Sequence, residues 1–138
     1  GIHHGLEKTP LATSCLPGAC VIMNGSMYGQ VASYPDIYED VCPASPVSCH
    51  VLKGDIIHMT RHLAVYWAKD NVRVNTLTLA GIINEQPQEF LDAYTKHVPI
   101  GRMANAKEAV GPILFLASNA SSYMTGSNLV VDGGWTAW

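Results

Sequence analysis

A chain of 138 residues, 48% of them hydrophobic and with a formal charge of -3, is of a size to fold as one domain burying roughly two-thirds of its unfolded surface. Its 8 basic side chains against 11 acidic ones leave no dense positive stripe for a phosphate backbone, which argues against nucleic acid and acidic membranes as partners. The apolar runs are of strand length or broken by polar residues, and the opening Gly1-Ile2-His3-His4-Gly5 has no signal-peptide pattern, so no membrane span and a cytoplasmic location are expected.

In chain order, residues 6–18 read as the end of a helix stopped by Pro17-Gly18, and 19–24 (ACVIMN) as a buried strand. Gly25-Ser26-Met27-Tyr28-Gly29 then turns the chain. Residues 30–48, with prolines at 35, 43 and 46 and little periodicity, read as a long surface loop over the sheet. The strongest helix, 51–69, places Leu52, Ile56, Met59, Leu63 and Trp67 in one stripe at steps of three and four. After an Asp70-Asn71 turn, 72–79 (VRVNTLTL) reads as a strand, and Pro87 opens a short helix carrying Phe90, Leu91 and Tyr94 that Pro99 closes. Asn105, with Glu108 three residues on, is a capping-box pattern for a helix with Val110, Ile113, Leu114 and Ala117 on one face. Asn128 to Asp132, an apolar run between Gly126 and Gly133, suits a strand covered on both faces. That order calls for an α/β fold with right-handed parallel crossovers.

Several of these pieces carry a resemblance. Asn24-Gly25-Ser26-Met27-Tyr28-Gly29, the helix containing Lys53, Arg73-Val74-Asn75, Gly101-Arg102-Met103 and Leu129-Val130-Val131-Asp132-Gly133-Gly134 resemble, in order and spacing, the C-terminal half of a short-chain dehydrogenase/reductase. The resemblance covers nearly the whole chain. It implies the last three parallel strands of a Rossmann-like doubly wound sheet, neighbours in sequence and in space. Residues 1–138 would form a single partial domain, and the glycine-rich half that cradles the dinucleotide would be absent. The first strand would lack its usual partner on one side, an open edge that invites a homo-oligomer.

The activity implied is hydride transfer with NAD or NADP on a small-molecule alcohol or carbonyl substrate, whose pocket would be formed by residues 30–48 and 82–99. In such enzymes a serine after the strand polarises a carbonyl, a tyrosine gives or takes the proton, and a lysine four residues later tunes the tyrosine and holds the nicotinamide ribose. Ser26 matches the serine and Lys53 the lysine, but position 49 is cysteine and no Tyr-x-x-x-Lys occurs anywhere. A thiol is shorter than a phenol, and a neighbouring ammonium favours thiolate, which donates no proton. Proton transfer by a placed group is worth about a hundred- to ten-thousand-fold in rate, so the chain is expected to be inactive alone. The alternative is a non-catalytic remnant or oligomerisation module of the same fold. Cofactor contacts would come from Asn24, Gly25, Lys53 and Ile82, the last beyond a turn where Ala80-Gly81 replaces the family's usual Pro-Gly.

The remaining candidates point elsewhere. His58 and His62 have helical spacing for a metal but no third ligand, so surface histidines and no metal site are expected. Asp36, Glu39 and Asp40 suit a solvated acidic loop as well as a paired-carboxylate site. Trp135 and Trp138 either fold back onto their own core or meet a symmetry mate. The cysteines at 15, 20, 42 and 49 form no Cys-x-x-Cys pair, and free thiols are expected.

Overall fold

The computed structural model describes residues 18–138, so the helix end expected over 6–18 lies, but for Gly18, outside the described residues. Three parallel strands, β1 (Cys20–Asn24), β2 (Arg73–Leu79) and β3 (Asn128–Val131), pair in the order β1-β2-β3. Val21 stands opposite Val74 and Thr78 opposite Val130. Helices α1 (Val47–Trp67), α2 (Gln88–Thr95) and α3 (Val110–Ala117) occupy the crossovers. The architecture is the α/β arrangement with strands adjacent in sequence and space.

The middle strand is where burial is complete. Val74, Asn75, Thr76, Leu77 and Thr78 are all buried, and the polar ones are tolerated because each finds a partner. The Thr60 and Thr76 hydroxyls meet at 2.7 Å, Thr78 donates to Asn128 Oδ1 at 2.6 Å, and Asn75 donates to the Met124 carbonyl at 2.8 Å. Arg73, at the start of β2, donates to the carbonyls of Leu116, Ser118 and Met124 and to Ser121 Oγ. It thereby ties the end of α3 to the sheet.

Two apolar faces are rotated from expectation. On α1 the fully buried residues are Ile57, Thr60 and Ala64; of the expected stripe Leu63 and Trp67 pack against the cluster of Ala64, Val72 and Val74, while Leu52 is 58% exposed and Met59 is exposed too. Close approach bears on this: a Cβ on Gly126 would sit 3.3 Å from Ala64 Cβ, so a small side chain is required at that point of the helix. On α3, Val110, Ile113 and Leu114 are exposed and only Leu116 is fully buried, because the helix is seated through its last turn by the Arg73 bonds. The capping box holds, with the Asn105 N–H donating to Glu108 at 2.8 Å, but it caps a 3-10 turn (Ala106–Ala109) that becomes α3 only at Val110. β3 is only partly covered, with Val130 exposed, since among the described residues its outer edge has no strand beside it. Asn71 closes the turn after α1 at φ 57°, a left-handed conformation that asparagine tolerates.

The segment 30–48 is more than a surface loop. It contains a 3-10 turn (Pro35–Ile37) whose Ile37 is wholly buried, and α1 starts before the segment ends. Ile37 packs with Met27, Tyr94, Val98, Met103 and Trp135, with Tyr34 and Tyr38 against them. The aromatic content of the loop outweighs its prolines and pulls it into the core. Trp135, 1% exposed, folds onto this cluster, whereas Trp138 is 73% exposed. A second cluster, Ala64, Val72 and Val74 with Val21 and Met23, lies between α1 and the sheet.

Candidate active site

In an open parallel sheet, ligands meet the carboxyl ends of the strands. At the end of β1 the chain must pass tightly against β2: the Gly25 N–H donates to the Leu77 carbonyl at 2.9 Å, and a Cβ there would lie 2.7 Å from Thr76 Cγ2. Only glycine fits. Ser26 follows in extended conformation, and its Oγ accepts the Tyr28 N–H at 3.2 Å, which caps the turn Met27–Gly29. The Ser26 hydroxyl proton is not used by that bond. Gly29 lets the turn press on α1, since a Cβ there would lie 2.4 Å from the Lys53 carbonyl oxygen.

That packing brings Lys53 to the strand end. Its Nζ donates to the Asn24 carbonyl at 3.0 Å, so Asn24, Gly25, Ser26 and Lys53 are assembled in one place by two elements far apart in sequence. Cys49 lies one helical turn before Lys53, a half-buried free thiol; Cys20 and Cys42 are also free. The turn after β2 forms the other wall. The Gly81 N–H donates to the Tyr94 hydroxyl at 2.6 Å, and Ala104 donates to the Gly81 carbonyl at 3.0 Å. Ile82 bridges to Ala104, and its carbonyl accepts from Gln86 Nε2 at 3.0 Å. Burial pushes the Tyr94 hydroxyl up to about 12, against the opposing pull of the Gly81 N–H. The same hydroxyl reaches Met27 Sδ at 3.9 Å, so Tyr94 ties the serine turn to the turn bearing Ile82.

Three tyrosines around this site were not singled out from sequence as chemical groups. Besides Tyr94, the Tyr28 and Tyr38 hydroxyls meet at 2.5 Å, and the Tyr28 ring stacks on His50 with centroids 4.9 Å apart. Burial first, then the hydrogen bond with Tyr38, drives the Tyr28 phenol far above its usual range. Burial also raises Tyr38, while the Tyr28 hydrogen bond works the other way. Tyr28 stood inside the quoted motif, but nothing in the spacing of Tyr38 marked it, because the loop conformation brings it there.

The other candidates resolve into structural roles. Asp36 receives His97 Nε2 at 2.9 Å, which holds its carboxyl below the usual range, and His97 stacks on Tyr34 at 4.0 Å. His62 lies against Tyr66 at 4.4 Å. Among the described residues no group of three or more His, Cys, Asp or Glu converges as a metal site. No helix among them is long and apolar enough to cross a membrane.

The residues present fit the nicotinamide end of a dinucleotide. An ammonium fixed at a strand end by the Asn24 carbonyl, with the Ser26 hydroxyl after it, offers donors to a sugar and ring. The sequence holds no Gly-x-Gly-x-x-Gly turn for the diphosphate.

Comparison with known proteins agrees with this geometry. The family model described as Enoyl-(Acyl carrier protein) reductase matches residues 20–136. The chain is 41% identical over 137 residues to the D-arabinitol 2-dehydrogenase [ribulose-forming] of Scheffersomyces stipitis, covering 94% of this chain and 46% of that protein. It is 35% identical over 138 residues to the NADH-dependent L-xylulose reductase of Ambrosiozyma monospora, covering 94% and 47%. It thus spans about half the length of the curated relatives it matches. Among solved structures, the short chain dehydrogenase from Leptospira borgpetersenii with bound NAD+ superposes with a TM-score of 0.79 at 38% identity, covering 85% of this chain and 44% of that one. With a family model spanning nearly all the described residues and the fold in agreement, the chain belongs to the short-chain dehydrogenase/reductase family.

Proposed function

We propose that this chain carries the carbonyl side and the nicotinamide end of an oxidoreductase that interconverts a polyol and a ketose. The observation that carries the reading is the Lys53 ammonium held 3.0 Å from the Asn24 carbonyl, next to Ser26 at the carboxyl end of β1. Relatives named for arabinitol, xylulose and mannitol support a polyhydroxylated substrate. When bound, the nicotinamide supplies or accepts the hydride. Ser26 donates its free proton to the substrate oxygen and orients it. Lys53 binds the ribose hydroxyls while its charge stabilises a developing alkoxide. Asn24 and Gly25 meet the nicotinamide end beside Lys53, and Ile82, pinned through Gly81 and Ala104, presents backbone to the ring.

Cys49 leaves the site without a phenol on α1, so turnover by the chain alone is expected to be a small fraction of what the fold permits. Fluorescence titration with NADH and NADPH tests cofactor binding and decides between them. Ribulose reduction by the wild type and Cys49→Tyr tests the chemistry: a gain of about a hundred-fold or more is expected in the variant. Absence of dinucleotide binding by either form would sink the reading.

A second reading, an oligomerisation module of the same fold, is favoured by one observation. Val110, Ile113, Leu114 and Phe115 are exposed on α3, and β1 has an open edge among the described residues. Light scattering separates this reading from the first, because it requires self-association without any response to dinucleotide.

A further inference from the structure

The loop that follows the serine turn is attached to its surroundings at two places close together in sequence. Tyr38 makes one of them: its hydroxyl meets that of Tyr28 at 2.5 Å, and its ring stands edge-on to Phe90 of α2 at 5.8 Å. Tyr28 in turn gives its N–H to Ser26 Oγ, so this attachment runs into the turn that holds the serine.

His97, two residues past the end of α2, makes the other. Its Nε2 lies 2.9 Å from Asp36 Oδ2, and its ring stacks on Tyr34 with centroids 4.0 Å apart and planes 12° from parallel. Trp135 backs both rings, with centroids 5.9 Å from His97 and 5.5 Å from Tyr34. Three elements therefore face this imidazole. The 3-10 turn supplies the Asp36 carboxylate, the loop before it the Tyr34 phenol, and the C-terminal segment the Trp135 indole, which does not titrate. On the segment of His97 itself, Lys96 acts on Asp36. The His97 hydrogen bond holds the Asp36 carboxyl below its usual range, so Asp36 stays ionised at mildly acidic and mildly alkaline pH. Histidine is the side chain that ordinarily changes charge in that range. A charge-assisted hydrogen bond is roughly twice as strong as a neutral one.

We infer that His97 is a positioning residue, fastening the loop at 34–38 to the end of α2 tightly when its imidazole is protonated and loosely when it is not. Through Tyr38 and Tyr28 the fastening steadies the turn that carries Ser26. That Ser26 is the group served rests on the oxidoreductase reading above; the fastening itself is a property of the loop.

The test is hydrogen exchange of the 138-residue chain at about pH 5.5 and about pH 8, read as protection factors so that the intrinsic effect of pH cancels. The Tyr38 and Glu39 amides, which donate to the Pro35 carbonyl, report the loop, the Tyr28 amide reports the serine turn, and the amides of β2 report global unfolding. In the wild type, protection of the loop and of Tyr28 is expected to be about two- to five-fold higher at the lower pH, the range an exposed ion pair gives, with β2 unchanged. Asp36→Asn keeps an acceptor without the charge, and His97→Phe keeps a ring on Tyr34 without the donor. Both are expected to abolish the difference and leave the loop at its lower protection. A wild-type loop that ignores pH, or a response that persists in Asp36→Asn, overturns the fastening. A loop that responds while Tyr28 does not overturns the link to Ser26. Should His97→Phe not fold, Asp36→Asn decides, because the Asp36 side chain is 60% exposed. Exchange is read without dinucleotide, so NADH fluorescence on the same samples judges the oxidoreductase reading separately.

Discussion

The two apolar clusters of this molecule handle buried polar groups in opposite ways. Around β2, every buried polar side chain is paired: Thr60 with Thr76, Thr78 with Asn128, Asn75 with Met124 and Ser127, and Ser121 with Leu116 and Arg73. Around Trp135, the aromatic rings of Tyr34, Tyr94 and His97 pack closely, yet the indole Nε1 is buried with no acceptor. An unpaired buried donor costs on the order of 1–3 kcal/mol. The first region is built for stability and the second for shape, with phenol hydroxyls reaching from it toward the site.

The largest effect tests the first region. Arg73→Met removes the bonds to three carbonyls and Ser121 Oγ that seat the end of α3, and about 3 kcal/mol of stability should be lost in urea unfolding. NADH binding by the folded fraction should be unaffected, since Arg73 lies at the opposite end of β2 from the site. If binding fell as steeply as stability, the separation of scaffold from site would be wrong.

A smaller effect tests the second. Tyr94→Phe strips the Gly81 N–H of its acceptor and should cost about 1–2 kcal/mol. Here NADH binding should weaken along with stability, because Gly81 positions Ile82. A variant that lost stability with NADH affinity intact would confine Tyr94 to packing.

The smallest effect concerns charge at the protein surface. Hydrogen bonds from Arg102, then from the Asn105 N–H, hold the Glu108 carboxyl at about 2, below its ordinary value of 4.5. The group binds fewer protons folded than unfolded, so its contribution is present above about pH 4.5 and disappears as pH falls toward 2. Glu108→Gln should flatten the dependence of Tm on pH within that window and leave its shape at neutral pH unchanged. A slope that persists in the variant would shift the effect to Asp132, which is held low by Thr136 and Gly134 despite partial burial.

Much of the fold was legible because it depends on local chemistry. The strands around β1 and β2, the Asn71 turn, the capping box at Asn105 and the parallel order all follow from side-chain period and backbone preference. What periodicity did not settle was which face of a helix is covered. On α1 the expected stripe packs at Leu63 and Trp67 but not at Leu52 or Met59, and the fully buried positions are Ile57, Thr60 and Ala64, the last small because Gly126 approaches it closely. The contacts divide in the same way. Ser26, Lys53 and Cys49 were picked out by the family resemblance and not by spacing alone, and the Tyr28–Tyr38 contact was not legible at all, because it joins a tight turn to an irregular loop.

By itself, the amino-acid sequence determined the kind of elements, their order, and the residue types available at the strand ends. These are properties of a few neighbouring residues, and local sterics and hydrogen bonding are enough to specify them. Only the tertiary structure decided that the proline-containing loop buries Ile37, that Trp135 turns inward while Trp138 does not, and that the Tyr28 and Tyr38 hydroxyls meet. Those outcomes depend on the shape left between packed elements, which is a sum over residues distant in the chain.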